Sequence, residues 1–90
     1  MLVARDLRIT GKVQGVFFRA WARCQAEELG VSGWVRNCPD GSVEAHLEGH
    51  DGAVRQLVDR MREGPPGAKV DNLTAEEAAP EGLSGFEVRH

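Results

Sequence analysis

The spacing of apolar residues changes along the chain, and each change marks a new element. Between Val3 and Thr10 apolar and polar residues nearly alternate, which predicts a strand with one buried face. Further on, the apolar residues recur at helical spacings, and Gly30 follows them where a C-cap glycine belongs. We therefore expect a first strand, a glycine-containing loop over residues 11–16 and a helix over residues 18–29.

The middle of the chain predicts a β-hairpin. A second strand over residues 31–38 leads into Pro39-Asp40-Gly41, where Pro presets φ and Gly accepts a positive φ. The third strand alternates two sets of residues, the apolar Val43, Ala45 and Leu47 and the polar Ser42, Glu44, His46 and Glu48. We expect the apolar set to face the core and the polar set to face solvent.

The rest of the chain predicts a second helix and two more strands. Its apolar residues at positions 54, 57, 58 and 61 have the i, i+3, i+4, i+7 spacing of an amphipathic helix. Asp51 is the candidate N-cap, and Gly64 with the two prolines after it ends the helix. Residues 69–74 are expected to form the fourth strand, residues 75–84 a loop, and residues 85–89 a short final strand.

This order of elements predicts an α+β protein with the ferredoxin-like α/β sandwich, an antiparallel sheet with two helices on one face. A chain of 90 residues is long enough for one domain, and we expect residues 1–90 to form it. Many functions share this architecture, so function has to be inferred from a site.

Composition and charge restrict the partners and the cellular location that the sequence predicts. A net charge of −3 argues against a nucleic-acid partner, because such proteins usually carry a basic face. Cys24 and Cys38 are expected to be reduced thiols, because two cysteines are too few for a disulfide framework, and the alternative is a single bridge between them. No apolar run approaches the ~18 residues of a membrane helix, and no signal peptide is recognisable. We expect a cytoplasmic monomer with no membrane partner.

The loop from Gly11 to Arg19 joins the end of a strand to the start of a helix. Backbone N–H groups at such a junction lack intrahelical partners, and the helix dipole adds positive charge, so a phosphate fits there. Gly15 would let successive N–H groups converge, and Arg19 could offer two parallel donors to the same anion. The alternative is a plain glycine turn beside a surface arginine.

Asn37 is the second candidate. In this fold the first two strands run parallel with one strand between them, so their carboxyl ends meet at one edge of the sheet. Two strand spacings amount to roughly 10 Å, a gap that Arg19 and Asn37 can close around one small ligand. Alternatively, Asn37 only opens the hairpin turn.

Other arrangements for phosphate chemistry are absent. A Cys-x5-Arg phosphatase requires Arg six residues after Cys, but those positions hold Gly30 and Glu44. There is no Gly-x-x-x-x-Gly-Lys-Ser/Thr loop. His46 and His50 have i, i+4 spacing, but Gly49 places them at a strand-to-helix junction, so we predict no metal site there.

Three segments resemble the signature of the acylphosphatase family: Gly11-Lys12-Val13-Gln14-Gly15-Val16-Phe17-Phe18-Arg19, Gly33-Trp34-Val35-Arg36-Asn37 and Asp40-Gly41-Ser42-Val43-Glu44. The likeness extends over nearly the whole chain, apart from His90, where the family often has an aromatic residue. It implies hydrolysis of acyl phosphates to a carboxylate and inorganic phosphate, without metal or cofactor. It further implies that Arg19 binds the phosphoryl group, that Asn37 orients the attacking water, and that the cradle is completed by backbone N–H groups of Gly15, Val16, Phe17 and Phe18.

This chemistry requires no nucleophile from the protein. An acyl phosphate releases a carboxylate through a loose transition state, which asks mainly for positioning and charge stabilisation. The amide of Asn37 does not take up a proton, so we expect the bound phosphate to accept it from the water. Two alternatives use the same fold: a non-catalytic module that binds a phosphorylated ligand, and an RNA-recognition motif. The latter would need aromatic residues where the third strand has Glu44, His46 and Glu48.

Overall fold

Five strands and two helices follow one another along the chain. The structure is a computed structural model that describes residues 1–90. Its elements are β1 (Leu2–Lys12), α1 (Phe18–Leu29), β2 (Ser32–Asn37), β3 (Val43–His50), α2 (Asp51–Glu63), β4 (Lys69–Glu77) and β5 (Phe86–Arg89). Helix α1 has the predicted bounds, whereas β4 continues through Glu77 into the predicted loop.

The strands form one sheet in the order β4-β1-β3-β2-β5. β1 pairs antiparallel with β3 and β4, and β2 pairs antiparallel with β3. β1 and β2 are therefore parallel to each other with β3 between them, as predicted. The expectation of an antiparallel sheet holds for these four strands but not for β5, which runs parallel to β2. β5 has this direction because the chain crosses the sheet between β4 and β5.

Both helices pack on one face of the sheet and cover a continuous apolar core. The largest fully buried side chains in it are Phe18, Leu7, Ile9, Leu47, Leu57 and Met61. Removing such surface from water stabilises the fold by about 25 cal/mol per Å². Neither helix combines the length and the apolar run that a membrane crossing requires.

The two helices begin differently. α1 follows Phe17, which has a left-handed backbone with φ 61° and provides no side-chain cap, and it ends at Gly30, the predicted C-cap. α2 follows His50, so the prediction of Asp51 as N-cap is wrong by one residue. Asp51 instead lies in the first turn, where it accepts a hydrogen bond of 2.9 Å from Arg55. Its charge there faces the positive end of the helix dipole.

His46 is buried, so the expectation that it faces solvent is wrong. Its side chain is 1% exposed, with Nδ1 2.6 Å from Asp6 Oδ1 and Nε2 2.7 Å from Glu48 Oε2. The cover is the crossing segment, residues 78–85, which links β4 at one edge of the sheet to β5 at the other. Three N–H groups of the crossing segment donate to the Glu48 carboxylate, those of Glu81, Gly82 and Leu83.

The same contacts determine the charges of His46 and Glu48. Burial disfavours protonation of His46, but hydrogen bonds to Asp6 and Glu48 and the charge of Glu81 outweigh it and raise the pKa of His46. Burial likewise disfavours ionisation of Glu48, but the N–H of Glu81 and the His46 ring lower the pKa of the Glu48 carboxyl. These contacts therefore favour the imidazolium form of His46 and the carboxylate form of Glu48.

Candidate active site

Two chain segments meet at the end of the sheet where the carboxyl ends of β1 and β2 lie. Ile9 of β1 and Asn37 of β2 both pair with Val43 of β3, so the two strands that flank β3 reach this point opposite the same residue, and β1 continues to Lys12. The loop after β1 (residues 13–17) and the turn after β2 (residues 38–42) therefore lie side by side across one strand. This is the shared edge that the topology predicts.

The 13–17 loop curls because φ is positive at two of its residues, 74° at Gly15 and 61° at Phe17. Alternation of this kind turns successive N–H groups toward a common centre. α1 starts directly afterwards, with no side-chain cap and no acidic residue in its first turn. Its first N–H groups are therefore free to bind an anion, with the positive end of the helix dipole behind them.

Arg19 lies in the first turn of α1 and is held by the end of the chain. Its Nη1 donates to the carbonyl oxygen of Arg89 over 2.9 Å and lies 3.1 Å from His90 Nδ1. The side chain forms no ion pair with any carboxylate. A guanidinium without a counter-charge keeps most of its donors for an anion.

A pocket of about 360 Å³ opens between these parts. It brings together five of the six predicted site residues, all except Val16. Its lining is Val13, Gly15, Phe17, Phe18, Arg19, Ala20, Asn37, Val88 and His90. None of these is acidic, although the chain has 14 Asp and Glu residues. Asn37 Oδ1 is buried here and has no hydrogen-bond partner in the protein. The pocket therefore has an arginine and no acidic residue in its lining, and it contains one hydrogen-bond acceptor, Asn37 Oδ1, without a partner.

Sequence reasoning missed two supports of this pocket. Gln14 Nε2 donates to the carbonyl oxygens of Cys38 and Ser42, each over 2.8 Å. Arg89 anchors Arg19 from the opposite end of the chain. Gln14 stands in the first signature segment, but the target of its side chain depends on where the turn folds, and no local pattern points to Arg89.

A larger groove of about 670 Å³ lies on the face of the sheet away from the helices. Its charges neutralise one another, since Arg8 donates to Asp40 and Glu44 over 3.1 and 3.2 Å, and Arg36 donates to Glu44 over 2.7 Å. An anion would compete with these carboxylates, so the pocket at the loop suits phosphate better. No group of three or more His, Cys, Asp or Glu side chains is arranged to hold a metal ion.

Fold and pocket together define a small α/β sandwich with a pocket at a strand-to-helix junction, a place that suits an anion. The acylphosphatase family model matches residues 5–88. An acylphosphatase of Rubrobacter xylanophilus is 58% identical over 82 residues, which cover 90% of this chain and 74% of the relative. The chain therefore belongs to the acylphosphatase family.

Solved structures agree with this assignment. The structure of an acylphosphatase from Coxiella burnetii matches with a TM-score of 0.94 and 42% identity, covering 98% of this chain and 93% of that one. The acylphosphatase from Bacillus subtilis matches with a TM-score of 0.95 and 33% identity, covering 100% of both chains. Acylphosphatases are hydrolases that cleave the carboxyl–phosphate bond of acyl phosphates, and this chain has that activity. The predicted family, fold class and enzyme class are confirmed.

Proposed function

We propose that Arg19, Asn37 and the backbone N–H groups of residues 15–18 carry out the hydrolysis. The observation that carries this proposal is the pocket itself, where Arg19, which has no carboxylate partner, and the unpartnered Oδ1 of Asn37 line one space without acidic residues. The loop N–H groups and Arg19 hold the phosphoryl oxygens. As the bond to the acyl oxygen lengthens, these donors stabilise the charge spread over the phosphoryl group.

Asn37 holds the water that attacks phosphorus. Its buried Oδ1 accepts a hydrogen bond from the water and so aims the water's lone pair at the phosphorus atom. The water oxygen forms the new P–O bond while the bond from phosphorus to the acyl oxygen breaks, and the electron pair leaves with the carboxylate. The proton of the water passes to a phosphoryl oxygen, because a neutral amide does not accept it.

We propose that this reaction needs neither a metal nor a cofactor. A carboxylate is a good leaving group and requires no general acid, and one guanidinium with several N–H donors supplies the positive charge. Turnover should therefore be unchanged by a strong chelator such as EDTA. A loss of turnover that added Mg²⁺ or Zn²⁺ restores would contradict this part.

Hydrolysis of acetyl phosphate in ¹⁸O-labelled water tests the attack on phosphorus. We expect one label in each inorganic phosphate formed and none in the acetate, measured by ³¹P NMR and mass spectrometry. Label in the acetate would place the attack on the carbonyl carbon and would contradict the proposed roles of Asn37 and the phosphate cradle. The same assay under multiple turnover separates an enzyme from a module that only binds the phosphate ligand.

We further propose that the enzyme acts as a cytoplasmic monomer and binds no nucleic acid. The net charge of −3, the charge-neutralised groove and the small size of the domain support this proposal. Sedimentation equilibrium should give the mass of one chain, 9.8 kDa. A dimer at micromolar concentration, or RNA binding at physiological salt, would contradict it.

A further inference from the structure

The side-chain amide of Gln14 spans the gap between the two parts of the site. Its Nε2 donates to Cys38 O and to Ser42 O, each over 2.8 Å, so both amide hydrogens are used. Cys38 directly follows Asn37 in the chain. No other hydrogen bond joins the 13–17 loop to the 38–42 turn.

The turn after β2 closes without help from Gln14. Cys38 N donates to Ser42 O over 2.8 Å, and Gly41 N donates to Cys38 O over 3.1 Å. Asp40 Oδ1 accepts hydrogen bonds from the N–H and the hydroxyl of Ser42, over 2.9 and 2.6 Å. Because these bonds already close the turn, the two bonds from Gln14 fix the position of the turn relative to the loop.

We propose that Gln14 is a positioning residue, which holds the Asn37 amide at its working distance from the phosphate cradle. The proposal rests on the proposed roles of Arg19 and Asn37 in the hydrolysis. β3 lies between the two strand ends, so no direct pairing of β1 with β2 fixes the spacing of loop and turn. In enzymes a misplacement of about 1 Å at the reacting atoms can lower turnover by about a hundred-fold. The two bonds from Gln14 fix the distance between Asn37 and the phosphate cradle, and they should therefore affect kcat.

The test replaces Gln14 with methionine, which has a similar length but no amide. For Gln14→Met we expect kcat on acetyl phosphate to fall by about ten-fold or more. The inhibition constant of inorganic phosphate should change by less than about three-fold, because the loop N–H groups and Arg19 remain. Gln14→Asn keeps the amide but shortens its reach, so it should show the same split, and it carries the test if Gln14→Met does not fold.

Gln25→Met is the matched control. Gln25 is also half-buried and uses its amide once, accepting a hydrogen bond of 2.8 Å from Arg60 between the two helices. Urea unfolding should show a loss of stability for Gln25→Met that is comparable to the loss for Gln14→Met. Its kcat should stay at the wild-type value, since the bond lies away from the pocket.

A double-mutant cycle with Asn37→Ala separates positioning from a general structural role. Because Gln14 acts through Asn37, Gln14→Met should lower kcat by less than about two-fold in the Asn37→Ala background. Equal losses in both backgrounds, or an equal loss of kcat from Gln25→Met, would overturn the proposal. An Asn37→Ala enzyme with full turnover would instead overturn the role of Asn37, so the two failures are distinguishable.

Discussion

The guanidinium of Arg19 and the carbonyl oxygen of Arg89 are joined by a hydrogen bond of 2.9 Å, which ties the first helix to the last strand. This bond uses one donor of Arg19 and fixes the direction in which the others point. Fixed donors stabilise a transition state better than mobile ones, because they need not reorganise as charge develops. The strand at the sheet edge therefore serves the pocket as well as the fold.

Arg19→Ala should remove phosphate binding and turnover together. The variant loses the charge-assisted hydrogen bonds to the phosphoryl group, which are worth about 1.5–3 kcal/mol each. We expect kcat/KM on acetyl phosphate to fall by about a hundred-fold or more, and the inhibition constant of phosphate to rise by about ten-fold or more. Arg23→Ala is the control, because Arg23 lies one turn later and pairs with Glu27 at the surface over 3.7 Å. An unchanged inhibition constant of phosphate in Arg19→Ala would contradict the assignment of Arg19 as the phosphate-binding residue.

Asn37→Ala should separate turnover from binding. Loss of the Oδ1 acceptor leaves the phosphate donors intact but releases the water, so kcat should fall by about a hundred-fold. Phosphate inhibition should stay near the wild-type value. Asn72→Ala, on the exposed surface of β4, should change neither quantity. Full turnover by Asn37→Ala would take Asn37 out of the mechanism.

The left-handed backbone at Phe17 should favour glycine over alanine at this position. Its φ of 61° is left-handed and the residue is 84% exposed, so little packing offsets the strain. The comparison of Phe17→Gly with Phe17→Ala isolates the backbone, because neither variant has a large side chain. Urea unfolding should show Phe17→Gly to be more stable than Phe17→Ala by about 1 kcal/mol. Equal stabilities would mean that the loop imposes no strain.

The His46–Glu48 pair should give stability a characteristic pH dependence. The contacts that raise the pKa of His46 stabilise the folded protein. This stabilisation is complete below about pH 6.5, the usual pKa of histidine, and it is lost as the pH rises through the raised pKa. The contacts that lower the pKa of Glu48 also stabilise the folded protein. This stabilisation is complete above about pH 4.3, the usual pKa of glutamate, and it is lost as the pH falls through the lowered pKa. Both contributions are therefore complete between these limits.

Urea unfolding of His46→Gln across this range measures the effect. At pH 6 we expect the variant to be less stable by about 2 kcal/mol, because the buried Glu48 carboxylate loses its charge-assisted hydrogen bond to His46. The difference should narrow as pH rises above about 6.5. His50→Gln changes an exposed histidine four residues later and should leave the pH profile unaltered. A difference that is constant with pH would show that His46 is not charged in the folded protein.

Local patterns predicted the elements that depend on local chemistry. The bounds of α1 follow from apolar periodicity and Gly30. The loop before α1 was predicted from its glycines, but it starts two residues later than predicted, because Gly11 and Lys12 still belong to β1. The burial of His46 and Glu48 was not predictable in this way. Their alternation with apolar residues is typical of a strand with one solvent-facing side, and the crossing segment that covers them lies more than thirty residues later in the chain. Strand β4 is longer than predicted because its pairing partner β1 continues beside it, from Glu77 opposite Arg5.

The sequence predicted the candidate site residues that strand topology brings together, but not the residues that support them through tertiary contacts. Parallel strands separated by one strand bring Asn37 to the loop of Arg19, and this follows from the order of elements. The tether from Gln14 and the anchor from Arg89 depend on side chains that meet only in the folded chain. Neither leaves a spacing or periodicity in the sequence.

The crossing segment also has a consequence for the order of folding. We expect β5 to dock late, because it reaches its edge of the sheet through this segment, which starts at β4, and β4 itself pairs Ala75 with Leu7 across most of the chain. Non-local pairings of this kind are slow to form. Arg19 gains its partner in Arg89 only after β5 has docked beside β2. During refolding, enzymatic activity should therefore return later than far-UV circular dichroism, and its lag measures the time that the last strand takes to reach its edge.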